Sequence, residues 1–173
     1  MRKILPFLAF ILVTVFTSPI YASKKPTPIP IPPTIPYSVC IDPGHGGTET
    51  GAIYQDPTTG VILYKESEIN LLVANLLKQN LITNGYDEAK IFMTRTDNLT
   101  TKTNEDRYDY CNGQGAAILV SIHHNGSIDP SINYTMSLYM KTTDVPLAQA
   151  VVNAIHEKFP ELENRGISRF ASG

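Results

Sequence analysis

The sequence has few of the residues that mark several common classes of protein. Cysteine occurs only at Cys40 and Cys111, and neither residue belongs to a Cys-X-X-Cys pair. This spacing argues against a cysteine-rich zinc site and against a thioredoxin-like redox motif. In an oxidising compartment the two cysteines would be able to form one disulfide. Two separate buried thiols are at least as compatible with the sequence, so the pairing stays open.

Basic residues are also scarce. The chain of 173 residues has 14 Lys and Arg against 16 Asp and Glu, a formal net charge of −2. Residues 1–22 include Arg2 and Lys3 and no acidic residue, so the remainder has 12 basic and 16 acidic residues, a charge of −4. Lys24 and Lys25 form the only basic cluster. We therefore do not expect the chain to bind nucleic acid.

The sequence lacks a hydrophobic run long enough to cross a bilayer comfortably, which takes roughly 20 residues. The apolar run from Ile4 to Phe16 follows two basic residues and precedes a small residue, Ala22. This pattern predicts a cleaved signal peptide over residues 1–22, with an uncleaved amino-terminal anchor as the alternative. Residues 23–36 contain six prolines and are predicted to form an extended linker. We expect a secreted protein of the periplasm or cell envelope, without a permanent membrane span.

The remaining residues, 37–173, have the length and composition of one globular domain. We expect an α/β fold, a single three-layer domain with a mostly parallel twisted sheet covered by helices on both faces. The hydrophobic pattern predicts three helices and six strands. Two of the strands are predicted to form a hairpin or long loop around residues 56–60. The predicted strands are 38–42, 52–54, 61–64, 90–95, 117–123 and 135–140, and the predicted helices are 66–83, 106–112 and 145–159.

Two of these strands run directly into histidines. The strand at Val39 ends in a glycine-rich turn with His45, and the almost continuously apolar strand at 117–123 ends in His123 and His124. Because equivalent ends of parallel strands lie on the same edge of a sheet, His45 and His123 are predicted to lie within reach of one ion. Ligands in open α/β sheets bind beyond this edge.

Glu66 completes a candidate metal site. Two histidines and one carboxylate are a ligand set that leaves a fourth position on Zn²⁺ for water. Their spacing is not a compact motif, so the pattern alone is a moderate signal. Glu66 also falls in the first turn of the predicted helix 66–83, where the helix dipole favours a carboxylate without any metal.

Six segments, in order, carry a resemblance to a known family: CIDPGHGG, KESEIN, FMTRTDN, RYDYCN, ILVSIHHN and NRGIS. Together they span about residues 37–168 and resemble the zinc-dependent N-acetylmuramoyl-L-alanine amidases, the catalytic domains of bacterial cell-wall hydrolases. The resemblance implies hydrolysis of the amide between N-acetylmuramic acid and L-alanine in peptidoglycan. It also implies Zn²⁺ as cofactor and His45, Glu66 and His123 as its ligands.

Other positions in these segments have further interpretations. Asn125 follows the histidine pair and is predicted to bind a substrate carbonyl or amide. His124 is expected either to contact the substrate or to support one of the ligand side chains. Asp42 either orients His45 or caps the turn, and Arg107 is expected to form a structural ion pair. Arg165 and Gly166 resemble a family motif and are also compatible with a simple turn.

The resemblance does not extend to the catalytic glutamate. The family carries that residue in a Val-Glu-Val-Gly-Phe-like segment beyond its Arg-Gly motif, and no such segment precedes Gly173. We therefore expect the catalytic residue to lie beyond this chain and the domain at 37–173 to be incomplete at its C-terminus. Alternatives to the amidase are a catalytically deficient zinc- and peptidoglycan-binding envelope protein and another secreted zinc peptidase.

Overall fold

The computed structural model describes residues 37–129 and 131–170. The predicted signal peptide (1–22) and linker (23–36) lie outside the described residues. The described strands are β1 (Val39–Pro43), β2 (Ile53–Gln55), β3 (Ile62–Lys65), β4 (Ile91–Met93), β5 (Ile118–Ile122), β6 (Tyr134–Tyr139) and β7 (Glu163–Arg169). The helices are α1 (Glu66–Thr83), α2 (Asn104–Gly113) and α3 (Val145–Lys158), with short 3₁₀ turns at Glu88–Lys90 and Thr142–Asp144.

β1 is the centre of a three-stranded parallel sheet with the order β4-β1-β5. All five of its residues are buried, which agrees with the apolar residues Val39, Cys40 and Ile41 at its start. The register pairs Pro43 with Ile122, the last residues of β1 and β5. Gly44 extends this pairing, since its N–H donates to the carbonyl of Ile122 at 2.9 Å. The segments after the two strands therefore begin side by side at one edge of the sheet.

Helices cover both faces of this sheet. Val39 and Ile41 point to one face, where they pack with Ala74 of α1 in the main hydrophobic core. Cys40 points to the opposite face, as the alternation of a strand requires, and forms a disulfide with Cys111 of α2. The fold is the expected three-layer α/β domain, and the pairing of the two cysteines, open in the sequence, is a disulfide.

A second parallel pair, β6 and β7, packs against α3. The sequence pattern did not predict β7, because its residues are mostly polar and do not alternate. Gly166 lies within this strand at φ 67°, a left-handed conformation that normally indicates a turn. Arg165 and Gly166 are therefore strand residues, and the interpretation as a simple turn is wrong.

The hairpin prediction and the prediction of α1 are confirmed. β2 and β3 pair antiparallel, and Asp56 accepts hydrogen bonds from the N–H groups of Thr58 and Thr59 in the connecting turn. α1 starts at Glu66 and ends at Thr83, before the glycine at 85 with φ 87°. Among the residues that the structure describes, no helix is long and apolar enough to span a bilayer.

Candidate metal centre

Three side chains from separate elements converge at the carboxyl edge of the sheet. His45 Nε2 lies 3.2 Å from Oε1 of Glu66, and His123 Nδ1 lies 3.1 Å from the same oxygen. The three candidate ligand atoms all lie within 4.8 Å of one another. The structure thus brings together His45, Glu66 and His123, the three residues that the sequence analysis selected as ligands.

These separations suit a metal ion. Zn–N and Zn–O bonds of about 2.0–2.1 Å in a tetrahedron place neighbouring ligand atoms about 3.4 Å apart. The distances from the Glu66 oxygen to the two ring nitrogens are close to this value. Two imidazole nitrogens and one carboxylate oxygen are also a donor set that Zn²⁺ accepts, with a position left for water. The residues present therefore fit a metal of this type.

Glu66 is held towards this cluster by hydrogen bonds from outside its own helix. The backbone N–H of Ala52 donates to Oε2 and the N–H of His124 donates to Oε1, each at 2.9 Å. Burial opposes the charged carboxylate, but these hydrogen bonds and the nearby His45 outweigh it and keep the pKa of Glu66 below its usual value. The helix dipole alone does not account for a carboxylate aimed at two imidazoles.

The turn that carries His45 is fixed by two buried arginines. His45 has a φ of 60°, a strained backbone conformation for a residue with a side chain. Arg107 donates from Nη2 to the carbonyl of His45 at 2.9 Å. Arg95 donates to the carbonyls of Pro43 and Gly44, at 2.8 and 2.9 Å. The two guanidinium groups hold the backbone on either side of the imidazole in place.

Asp42 lies below this turn and contacts residues from α2, from β5 and from the segment directly after β4. It accepts hydrogen bonds from Thr94, Arg107 and Ser121 at 2.5, 2.6 and 2.7 Å. Asp42 makes no hydrogen bond to the imidazole of His45, so it acts on that residue through Arg107. The ion pair expected for Arg107 is present.

Asn70 is a site residue that the sequence analysis missed. It is fully buried in α1, one turn after Glu66. Its Nδ2 donates to the carbonyl of Gly44 at 3.1 Å and lies 3.4 Å from Glu66 Oε1, and its Oδ1 lies 2.7 Å from Nδ1 of His124. Because residues four apart share one face of a helix, the spacing from Glu66 was the available signal.

Two clefts open beside the cluster of His45, Glu66 and His123. The first, of about 250 Å³, is lined by His45, Glu49, Lys102, Thr103, Asn104, Arg107 and His123. The second, of about 310 Å³, lies between the β2–β3 hairpin and the segment after β5, and its lining includes Glu66, His124 and Asn125. We refer to them as the Lys102 cleft and the hairpin cleft. Glu49, Glu66 and Asp129 are the carboxylates among their described lining residues.

Fold and site define the chain as a three-layer α/β domain with a His-Glu-His cluster at the carboxyl edge of its sheet. The sequence model of the N-acetylmuramoyl-L-alanine amidase family matches residues 39–170. The chain therefore belongs to this family.

Individual relatives agree with this assignment. The sporulation-specific N-acetylmuramoyl-L-alanine amidase of Bacillus subtilis is 31% identical over 121 residues, which are 65% of this chain and 44% of that protein. The structure of an N-acetylmuramoyl-L-alanine amidase from Clostridium difficile is 29% identical, with a TM-score of 0.65 over 78% of this chain and 69% of that one. The amidase AmiC2 of Nostoc punctiforme is 26% identical, with a TM-score of 0.64 and the same coverage. The chain spans less than half the length of the curated relatives it matches.

Proposed function

We propose that this protein is a zinc-dependent hydrolase of the amide that joins N-acetylmuramic acid to L-alanine in peptidoglycan. The observation that carries the proposal is the convergence of His45, Glu66 and His123 on one position between two open clefts. Membership of the amidase family supports the choice of this bond.

In this proposal the chain contributes a rigid set of ligands. His45 and His123 supply imidazole nitrogens, and Glu66 supplies a carboxylate that is kept ionised by the N–H groups of Ala52 and His124. Zn²⁺ bound there would polarise the scissile carbonyl and lower the pKa of a water molecule to about 7. Hydrolysis also requires the transfer of a proton to the leaving amine. We do not assign this step to any residue of this chain.

Asn125 is the proposed substrate contact. It lies directly after the two histidines and lines the hairpin cleft next to Glu66. Its side-chain amide offers both a donor and an acceptor, so it is suited to bind a carbonyl or an N–H of the substrate.

The proposed location follows from the substrate and from the amino terminus. Peptidoglycan lies outside the cytoplasm, and residues 1–22 have the pattern of a secretory signal, followed by the proline-rich residues 23–36. We therefore propose a secreted protein that acts in the periplasm or cell envelope, with its domain from residue 37 onwards.

The test is the identity of the product. The purified chain, loaded with one equivalent of Zn²⁺, is incubated with isolated peptidoglycan and the soluble fraction is analysed by mass spectrometry. Free stem peptides that begin with L-alanine, together with glycan that keeps its lactyl groups, support the proposal. Cleavage within the stem peptide would instead indicate a peptidase. Co-sedimentation with peptidoglycan without any product, both from this chain and from a version extended past Gly173, would indicate a binding protein, and either result overturns the proposal.

A further inference from the structure

The hairpin cleft and the Lys102 cleft differ in chemistry. The described lining of the hairpin cleft has aromatic and aliphatic side chains and two carboxylates, Glu66 and Asp129, but no lysine or arginine. The Lys102 cleft has two basic side chains, Lys102 and Arg107, against one carboxylate, Glu49, and the rest of its described lining is histidine, threonine and asparagine. The proposed substrate is equally asymmetric, because its glycan arm consists of N-acetylated sugars and its peptide arm carries free carboxylates.

Two tyrosines form an aromatic wall of the hairpin cleft. Tyr54 and Tyr64 are directly opposite each other in the β2–β3 pair. Their ring centroids are 6.2 Å apart and their planes differ by 29°. The residues are 57% and 59% exposed, so both rings are open to a ligand. Ile69 and Ile132 add aliphatic surface to the same cleft. Aromatic rings that combine an apolar face with a polar hydroxyl suit the apolar faces and hydroxyl rims of pyranose rings.

His124 adds a hydrogen-bonding group to this cleft. The structure determines which of its ring nitrogens is the donor and which is the acceptor. The Gly44 carbonyl can only accept, so Nδ2 of Asn70 must face it and Oδ1 of Asn70 must face His124. Nδ1 of His124 is therefore the nitrogen that donates a hydrogen bond to Oδ1 of Asn70. In the neutral ring Nε2 then carries the lone pair, and it has no hydrogen-bond partner among the described residues. This nitrogen is suited to accept a hydrogen bond from an acetamido N–H.

We infer that the hairpin cleft binds the glycan arm of the substrate, with Tyr54 and Tyr64 as its sugar platform and His124 as an acceptor for an acetamido group. The peptide arm then extends into the Lys102 cleft, where a cation faces its carboxylates. This assignment rests on the proposed function for the identity of the substrate, but it concerns binding and does not require hydrolysis.

The experiment therefore measures binding directly. Two ligands are titrated separately into the chain and followed by calorimetry. One is a peptide-free tetrasaccharide of alternating N-acetylglucosamine and N-acetylmuramic acid, and the other is a free stem peptide. We expect Tyr54→Ala and Tyr64→Ala each to weaken tetrasaccharide binding by roughly tenfold, and His124→Phe to weaken it while keeping an aromatic ring. Peptide binding should be unchanged by all three substitutions.

Leu63→Ala is the matched control, because Leu63 is on the same strand as Tyr64, is similarly exposed, and is absent from the described cleft lining. It should leave both affinities unchanged. Lys102→Met should weaken only the binding of the stem peptide. The inference is overturned if the tetrasaccharide does not bind, or if the tyrosine substitutions weaken the peptide instead. If glycan binding depends on the tyrosines while neither this chain nor the version extended past Gly173 gives amidase product, the proposed function is refuted and this inference stands.

Discussion

Arg107 and Asp42 form a buried ion pair between α2 and β1, with Nη1 and Oδ1 2.6 Å apart. The same guanidinium also donates to the carbonyl of His45. One side chain thus connects the centre of the sheet to the turn that carries a candidate ligand. Because both charges are buried, neither can be removed without leaving the other unpaired.

Removing this arginine should be costly for the fold. For Arg107→Met we expect the free energy of unfolding to fall by about 3–5 kcal/mol, since the substitution leaves Asp42 charged and buried. Urea denaturation measures the change. Arg165→Met is the control, because Arg165 pairs with Glu163 at the surface and exposed pairs contribute about 0–1 kcal/mol. Equal losses in the two variants would contradict the structural role of the buried pair.

Gly44 should be required for the position of His123. A Cβ atom at Gly44 would overlap the imidazole ring of His123. We expect Gly44→Ala to displace the ring and lower the affinity for Zn²⁺ by roughly 10–100-fold, the loss typical of disturbed ligand support. Competition with a chromogenic chelator measures this affinity. Gly113→Ala, where a Cβ would meet nothing within 4 Å, should bind Zn²⁺ as the wild type does. Unchanged affinity in both variants would show that this close packing does not position His123.

The disulfide should stabilise the domain by restricting the unfolded chain. Cys40 and Cys111 are 71 residues apart in sequence. The chain-entropy relation gives about 4 kcal/mol for a loop of this length. We expect the Cys40→Ala/Cys111→Ala variant to lose stability of this order in calorimetric or urea unfolding. Addition of a reductant should destabilise the wild type and leave the double variant unaffected. The pairing would be contradicted if a reductant that has access to the unfolded chain does not change the stability of the wild type.

Glu66 should make the stability of the metal-free chain depend on pH. Folding lowers the pKa of this carboxyl, so its contribution is present above the unfolded pKa of about 4.3 and is lost as the pH falls towards the folded value. The difference in unfolding free energy between wild type and Glu66→Gln should therefore be larger at about pH 6 than at about pH 3.

Glu68→Gln provides the comparison for this measurement. Glu68 is in the same helical turn but is exposed, and among the described residues its ion-pair partner is Lys65. Its substitution should have a small effect at both pH values. A difference between wild type and Glu66→Gln that does not vary with pH would contradict the lowered pKa.

Parts of the fold with a strong local pattern were predictable from the sequence. α1 has apolar residues at helical spacing and ends at an Asn-Gly pair, and its predicted bounds agree with the structure. β1 and β5 are short apolar runs that end in polar turns, and the structure places them side by side. β7 was missed because its stability comes from pairing with β6 and packing against α3, which polar residues and an internal glycine do not reveal.

The candidate site shows the same division. Histidine and glutamate at the ends of predicted elements, together with the family resemblance, selected three residues that the structure brings together. Asn70 and Arg95 were not given a role, because their importance lies in contacts with distant backbone carbonyls at Gly44 and Pro43. Such contacts depend on the tertiary fold. The four-residue spacing places Asn70 on the same face of α1 as Glu66, but it does not reveal the contact with Gly44.

The central claim is that His45, Glu66 and His123 form one metal site, and zinc stoichiometry tests it most directly. The purified chain is dialysed against a chelator, reloaded with Zn²⁺ and analysed for bound metal, alongside His45→Ala, Glu66→Gln and His123→Ala. His156→Ala is the control, because His156 is on α3 and contacts the carbonyl of Leu162. We predict one equivalent of zinc in the wild type and the control, and loss of it in the three site variants. One equivalent retained in folded His45→Ala and His123→Ala variants would contradict the claim.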